Sequence, residues 1–189
     1  MFYRRLGIQS NELKKYFMDE QKTTLIVNLV GAPGSGKSTL AAKLFSMLKE
    51  NGIDCEMALE YAKEKLWEGT LDSVSQLYIF ARQEERLRSL KGKVDVIITD
   101  APHVHSLMYG DESDEFKQLV KKTIKEQNAI NFFVQRDPDH IYDFNGREQT
   151  EEESMGMEDF LLDVVDNNLD TYREPPMNKF MGFFASRTT

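Results

Sequence analysis

Cysteine is nearly absent from this chain. Cys55 stands alone among 189 residues, so no intramolecular disulfide can form and a reducing compartment fits. Its apolar neighbours read it as a small buried hydrophobe. Cations are also in deficit: 24 Lys and Arg against 32 Asp and Glu leave a formal charge of −8 and a pI near 5.0. That balance argues against broad non-specific binding to nucleic acid, while leaving room for a local basic groove. No apolar run reaches the length of a bilayer span, and the opening MFYRRLGIQSNELKKYF has no uninterrupted apolar core of the signal-peptide kind. The expectation is a soluble cytoplasmic protein with no membrane partner. Repeats and low-complexity linkers are missing too, and the length suits one domain over 1–189 with a sizeable core.

What the chain does contain is concentrated in Thr24 to Thr39, TLIVNLVGAPGSGKST. Gly31, Gly36, Lys37 and Ser38 fill the template G-x-x-x-x-G-K-[ST], in which loop amides cradle phosphates, the lysine reaches the outer phosphates and the hydroxyl binds Mg²⁺. Leu25 to Val30 reads as a buried strand, and Leu40, Ala41, Leu44 and Leu48 recur at helical spacing over 37–51. The loop therefore sits where a strand becomes a helix, and the helix N-terminus points at the same anion. Gly31, Ala32, Pro33, Gly34, Ser35, Gly36, Lys37, Ser38 and Thr39 are the expected nucleotide-binding residues, for ATP with Mg²⁺.

Residues 1–23 read as an N-terminal extension with a charged helix capped near Ser10-Asn11, and Arg4 and Arg5 either touch an anionic ligand or are solvated. Past the helix stop Asn51-Gly52, Ile53 to Leu59 reads as the second strand, delivering Glu60 to the ligand end of a parallel sheet. Glu60 is either a catalytic base or acceptor-binding group, or a helix N-terminal carboxylate held by the dipole. Asp72 or Ser73 is placed to cap a helix running to Lys91. One of its stripes carries Val74, Leu77, Tyr78 and Ala81, and a neighbouring stripe Gln76, Phe80, Gln83 and Leu87, with Arg82 and Arg86 at i,i+4. Phe80 and Gln83 are candidates for reading a flat base or sugar and Arg82 and Arg86 for holding its phosphate; an ordinary amphipathic helix accounts for the same pattern.

KVDVIIT, residues 93–99, is the third strand and ends at Asp100, the place of the metal-holding carboxylate of nucleoside triphosphate enzymes. Ser38 and Asp100 are thus the candidate metal ligands. Ala101 follows in place of the glutamate that activates water in motor-type ATPases, and His103 stands where the GTPase D-x-x-G pattern needs glycine. His103 and His105 lack a further ligand cluster and read as loop residues. Ser113 caps a helix to Gln127 whose inner face is Phe116, Leu119, Val120, Thr123 and Ile124, and Ala129 to Gln135 is the fourth strand. The segment of about 136–150 is turn-rich and charged. Its Arg136 and Arg147 bracket either a lid over the transferred phosphate or a surface loop in which they pair with Asp137, Asp139 or Glu148. Thr150-x-x-Glu153 is a capping box opening a helix with Phe160, Leu161, Val164 and Val165 inward, and Lys179 to Ala185 is the expected fifth strand.

Alternating strands and helices predict an α/β fold with a parallel five-stranded sheet covered by helices on both faces. The stretches GAPGSGKST, ALEYAKE, LYIFARQEER, VIITDAP and NFFVQRD resemble the nucleoside and nucleotide kinase-like branch of P-loop proteins. They are most similar to the phage-encoded NTPase/kinase group related to ribosylnicotinamide kinase domains, itself similar to 5-hydroxymethyl-deoxyuridine DNA kinases. The resemblance implies a P-loop kinase fold of strand order 2-3-1-4-5 with a short lid, and phosphoryl transfer from ATP to a nucleoside-like acceptor, with 5-hydroxymethyluracil in DNA the most specific candidate. A free nucleoside, a nucleotide or nicotinamide riboside is the alternative acceptor, and a nucleotide-hydrolysing switch the alternative function. It further implies that Lys37, Glu60, Asp100, Arg136 and Arg147 do the chemistry; a monomer or homodimer is expected. Tyr61 follows Glu60 where deoxynucleoside kinases usually carry proline.

Overall fold

The computed structural model describes residues 24–109, 113–136, 142, 145, 147–168 and 171–172, with backbone alone at 165–168 and 171–172. The N-terminal extension with Arg4 and Arg5, the strand expected at 179–185, Val165's side chain and, within the lid segment, Asp137 and Asp139 lie outside the described residues.

The chain runs β1 (Leu25–Val30), α1 (Lys37–Glu50), β2 (Cys55–Ala58), α2 (Tyr61–Trp67), α3 (Gln76–Leu90), β3 (Val96–Thr99), α4 (Asp114–Glu126), β4 (Ala129–Phe133), α5 (Glu151–Asn168) and β5 (Thr171–Tyr172). Short 3₁₀ turns at Leu71–Ser73 and His103–Leu107 join these elements. All pairings are parallel, in the order β2-β3-β1-β4-β5. Four strands of four to six residues make the body of the sheet. The fifth is a two-residue addition beside β4, earlier in the chain than the expected 179–185.

Strand alternation sorts the core into two layers. Leu25, Val27 and Leu29 of β1, with Val96, Ile98, Ile130 and Phe132, face Ala41, Leu44, Met47 and Leu48 of α1. Cys55 joins this layer, fully buried, and desolvation pushes its thiol up to about 11, as suits a packing residue. On the opposite face Ile26, Ala58 and Ile97 pack on Leu87 of α3, while Val30 and Phe133 meet Val104 and Leu161 of α5. Each fully buried leucine in these layers contributes about 2 kcal/mol.

The second face also holds polar groups that an apolar reading of the strands passes over. Asn28 Nδ2 donates to Asn131 Oδ1 at 2.9 Å, across the β1–β4 pairing that sets these residues side by side. Thr99, beside Asn28 in the β1–β3 register, donates to the Ala58 carbonyl at 2.8 Å.

Helix ends follow their local chemistry. Ser75, rather than Asp72 or Ser73, caps α3 by accepting from the Tyr78 amide, because the 3₁₀ turn uses up the earlier residues. Ser113 caps α4 by accepting from the Phe116 amide. In the Thr150–Glu153 box the Glu153 amide donates to Thr150 Oγ1 at 3.2 Å and the Thr150 amide to Glu153 Oε2 at 2.7 Å. Some inward faces differ from expectation: Leu119 and Phe160 are exposed, and in α3 Leu77 and Tyr78 face outward while Phe80, Gln83 and Leu87 are buried.

Candidate active site

The phosphate loop begins where β1 ends at Val30. A Cβ on Gly31 would lie 2.7 Å from both the Val134 carbonyl and Ser35 Oγ, so only glycine lets the loop pass under the end of β4. Gly36 takes φ 89°, the left-handed turn that starts α1 and aims its free amides into the loop. Lys37 Nζ donates to the Ala32 carbonyl at 2.8 Å, and Ser38 Oγ donates to Asp100 Oδ2 at 2.5 Å. Asp100, almost fully buried at the end of β3, accepts the Glu60 amide on its other oxygen at 3.1 Å.

Strand order explains this meeting. In β2-β3-β1 the carboxyl ends fall side by side, so Glu60, Asp100 and the Lys37–Ser38 pair lie in one row, with about 4.8 Å between neighbouring strands. Burial lowers the Lys37 ammonium to about 8, against the pull of Glu60 and Asp100. Burial raises the Glu60 carboxyl; Lys37 opposes the rise and Asp100 adds to it. His105 is held neutral, well below its usual range, by burial and by Lys37, and its Nε2 accepts the Gly31 amide at 3.3 Å, which leaves its ring proton on Nδ1.

Two cavities meet at this row. The smaller, about 200 Å³, is lined by Gly31, Gly34, Gly36, Lys37, Ser38 and Arg147 among others. The larger, about 360 Å³, lies beyond Glu60 between α2, α3 and the 3₁₀ turn after β3. Glu60, Lys63, His105, Tyr109 and Gln149 line both. Burial and then Glu60 push the Tyr109 phenol upward, so it remains a hydrogen-bond donor. Lys63, Tyr109 and Gln149 belong to no spaced motif, so sequence reasoning passes over them. His105 was in view only as half of a histidine pair.

The lid segment divides by residue. Arg147 lines the smaller cavity, and its buried Nη1 has no hydrogen-bond partner among the described residues, a cation fit for a phosphate. Arg136 lies beneath the loop instead: Nη2 donates to the Pro33 carbonyl at 2.9 Å and to Ser154 Oγ, and Glu151 and Glu158 flank it. Tyr142 stands between them, its ring 5.0 Å from the Arg136 guanidinium and 5.2 Å from that of Arg147. Neither arginine pairs with Glu148.

The residues expected on the substrate face of α3 are placed otherwise. Phe80 is buried, its ring 4.7 Å from His103 and 5.6 Å from Phe116. Gln83 accepts the Tyr61 amide at 3.1 Å and reaches the Ala58 carbonyl and Thr99 Oγ1 at 3.4 Å, so it braces the strand ends, although one side of it still lines the larger cavity. Arg82 pairs with Glu85, and Arg86 with Glu64 and the Leu59 carbonyl; both guanidiniums lie over the Tyr61 ring. Their partners are protein groups because the helix turns the Phe80–Gln83–Leu87 stripe inward. His103 pairs with Glu84 at 2.7 Å, and no cluster of three or more His, Cys, Asp or Glu able to hold a metal occurs among the described residues.

A strand–loop–helix cradle for phosphate, closed by a lysine and a buried aspartate at the next strand end, defines a P-loop nucleotide-binding enzyme of the kinase/NTPase type. Residues 26–174 match the AAA domain family, and the chain belongs to it. No curated protein matches the chain. Solved structures similar to it include that of APE1195, at 17% identity and a TM-score of 0.49, covering 88% of this chain and 96% of that one. Another is a cysteine-to-alanine mutant of the Mycobacterium tuberculosis APS kinase CysC, at 18% identity and a TM-score of 0.40, covering 75% of this chain and 98% of that one. Among the described residues, no helix is long and apolar enough to cross a membrane.

Proposed function

We propose that this protein is an ATP-dependent phosphotransferase that moves the γ-phosphate to a hydroxyl of a nucleoside-like small molecule seated in the larger cavity. The observation that carries this reading is Glu60. It lines both cavities, and its backbone is fixed by the same Asp100 that holds Ser38. A base so placed reaches an acceptor on one side and the phosphate on the other. Ala101 follows Asp100, so the glutamate that activates water in motor-type ATPases is missing.

Loop amides and Lys37 hold the triphosphate, and Arg147 adds charge where the transferred group becomes most negative. The Ser38 hydroxyl and Asp100 carboxylate are hard oxygen donors brought together at 2.5 Å, a set that fits Mg²⁺. When bound there, the ion would neutralise phosphate charge. Glu60 takes the hydroxyl proton as the acceptor oxygen bonds to phosphorus and ADP leaves. Asp100 is the weaker candidate for this role because both its oxygens are engaged and it lines neither cavity.

The resemblance to DNA kinases favours 5-hydroxymethyluracil in DNA as acceptor, whereas the placement of the arginines favours a free small molecule. Of the arginines expected to grip DNA phosphates, Arg82, Arg86 and Arg136 are paired within the protein, Arg147 lines the phosphate cavity, and Arg4 and Arg5 lie outside the described residues. Incubation with γ-labelled ATP tests the reading: label should move to a nucleoside-like acceptor. Label found only in inorganic phosphate, whatever acceptor is present, would establish a hydrolase instead.

A further inference from the structure

Resting on the phosphotransferase reading, the charges around the larger cavity narrow the acceptor. Among the described residues that line it, the carboxylates are Glu60, Asp72 and Glu148, and the one ammonium is Lys63, which also faces the phosphate cavity. Asp72 and Glu148 line it and are exposed. Other cations nearby are already matched. Lys65, Arg82 and Arg86 surround the Tyr61 ring, yet each pairs with its own carboxylate, Glu68, Glu85 and Glu64 in turn. His103 faces Glu84, and His105 is neutral. Arg147 lines the smaller cavity and not the larger.

We infer that the acceptor is a phosphate-free alcohol, neutral or cationic: a nucleoside-like molecule rather than a nucleotide. A monophosphate carries nearly two negative charges and would enter a cavity whose described lining sets three carboxylates against one ammonium and includes no guanidinium. Among the described residues lining the cavity, the Lys63 ammonium is the one cation that would meet its phosphate, and three carboxylates oppose it. A neutral nucleoside avoids that cost, and a cationic one gains from the carboxylates, with the Tyr109 ring at the cavity wall for a flat base.

The test is a comparison of nucleosides, an N-methylated cationic nucleoside and the matching 5′-monophosphates as acceptors of label from γ-labelled ATP. Each nucleoside should exceed its own monophosphate in kcat/KM by about tenfold or more, as one uncompensated charge contact at close range implies. The variant Glu148→Lys should shrink that ratio, and should depress the cationic acceptor most. Preferential labelling of a monophosphate overturns the inference and leaves the phosphotransferase standing. An unchanged ratio in Glu148→Lys overturns its electrostatic basis. Label on no acceptor, with ATP still bound, overturns the phosphotransferase reading and this inference with it.

Discussion

Glu60 and Lys37 each change the other's hold on a proton, and their shifts have opposite consequences for pH. Burial raises Glu60, so its base form is lost at a pH above the usual carboxylate range. The acid limb of kcat/KM should therefore lie above pH 4.5, and Glu60→Gln should abolish that limb while lowering kcat by about 10²- to 10⁴-fold. A pH–rate profile checks both; an acid limb that survives in the variant would assign it elsewhere. Lys37 is depressed to about 8 from 10.5. Between those values the unfolded chain keeps a proton that the folded one has lost, so this group makes stability rise with pH across the window, and below it the burial cost is fully present. Lys37→Met should then melt no lower than wild type at pH 7 without nucleotide, yet bind ATP about 10- to 100-fold more weakly, the loss of a charged hydrogen-bond donor. Calorimetry and ATP titration of the two proteins decide it. Lys37 and Asp100 were legible because fixed spacing and strand ends announce them. Phe80 was misplaced, and the bracing role of Gln83 missed, because adjacent stripes of one helix each held enough apolar residues to pass for the inner face, and spacing alone does not rank them.

At the scale of elements, the lid meets the phosphate loop at one point. Gly34 has φ +81°, and a Cβ there would come within 2.6 Å of the Tyr142 ring. Tyr142 is buried, donates to the Gln149 carbonyl at 2.9 Å and carries the Arg147 guanidinium on its ring. Thus the ring that caps the loop also steers the cation in the site. Gly34→Ala should cost about 1 kcal/mol or more from its left-handed backbone alone. It should also displace Tyr142, so kcat should fall further than stability explains. Denaturant unfolding beside steady-state kinetics separates the two effects, and a variant that loses stability with kcat intact would show that Tyr142 does not position Arg147. The strand-loop-helix order was readable because β1 runs into Gly31 and because β2, β3 and β4 each follow a helix stop, at Gly52, Gly92 and Asn128. The contact of Tyr142 with Gly34 was not, since it joins residues over 100 positions apart with no pattern at either end.

At the scale of the whole molecule, the sheet order does the positioning. Parallel strands in the sequence β2-β3-β1 bring Glu60, Asp100 and the phosphate loop to one edge, and the order was foreseeable through family resemblance rather than from composition. The polar pair Asn28–Asn131 in the sheet was hidden in strands that read as apolar. The acceptor cavity was invisible in the sequence for a related reason: it is shared among α2, α3, the turn after β3 and the residues before α5, none of which marks it alone. Two adjoining cavities that share Glu60 imply that ATP and acceptor are bound together and that phosphate passes directly between them. Initial rates measured while both ATP and a nucleoside acceptor are varied test this most directly. The account predicts intersecting double-reciprocal lines with one labelled acceptor formed per ATP consumed. Parallel lines, or ATP consumption indifferent to the acceptor, would contradict it.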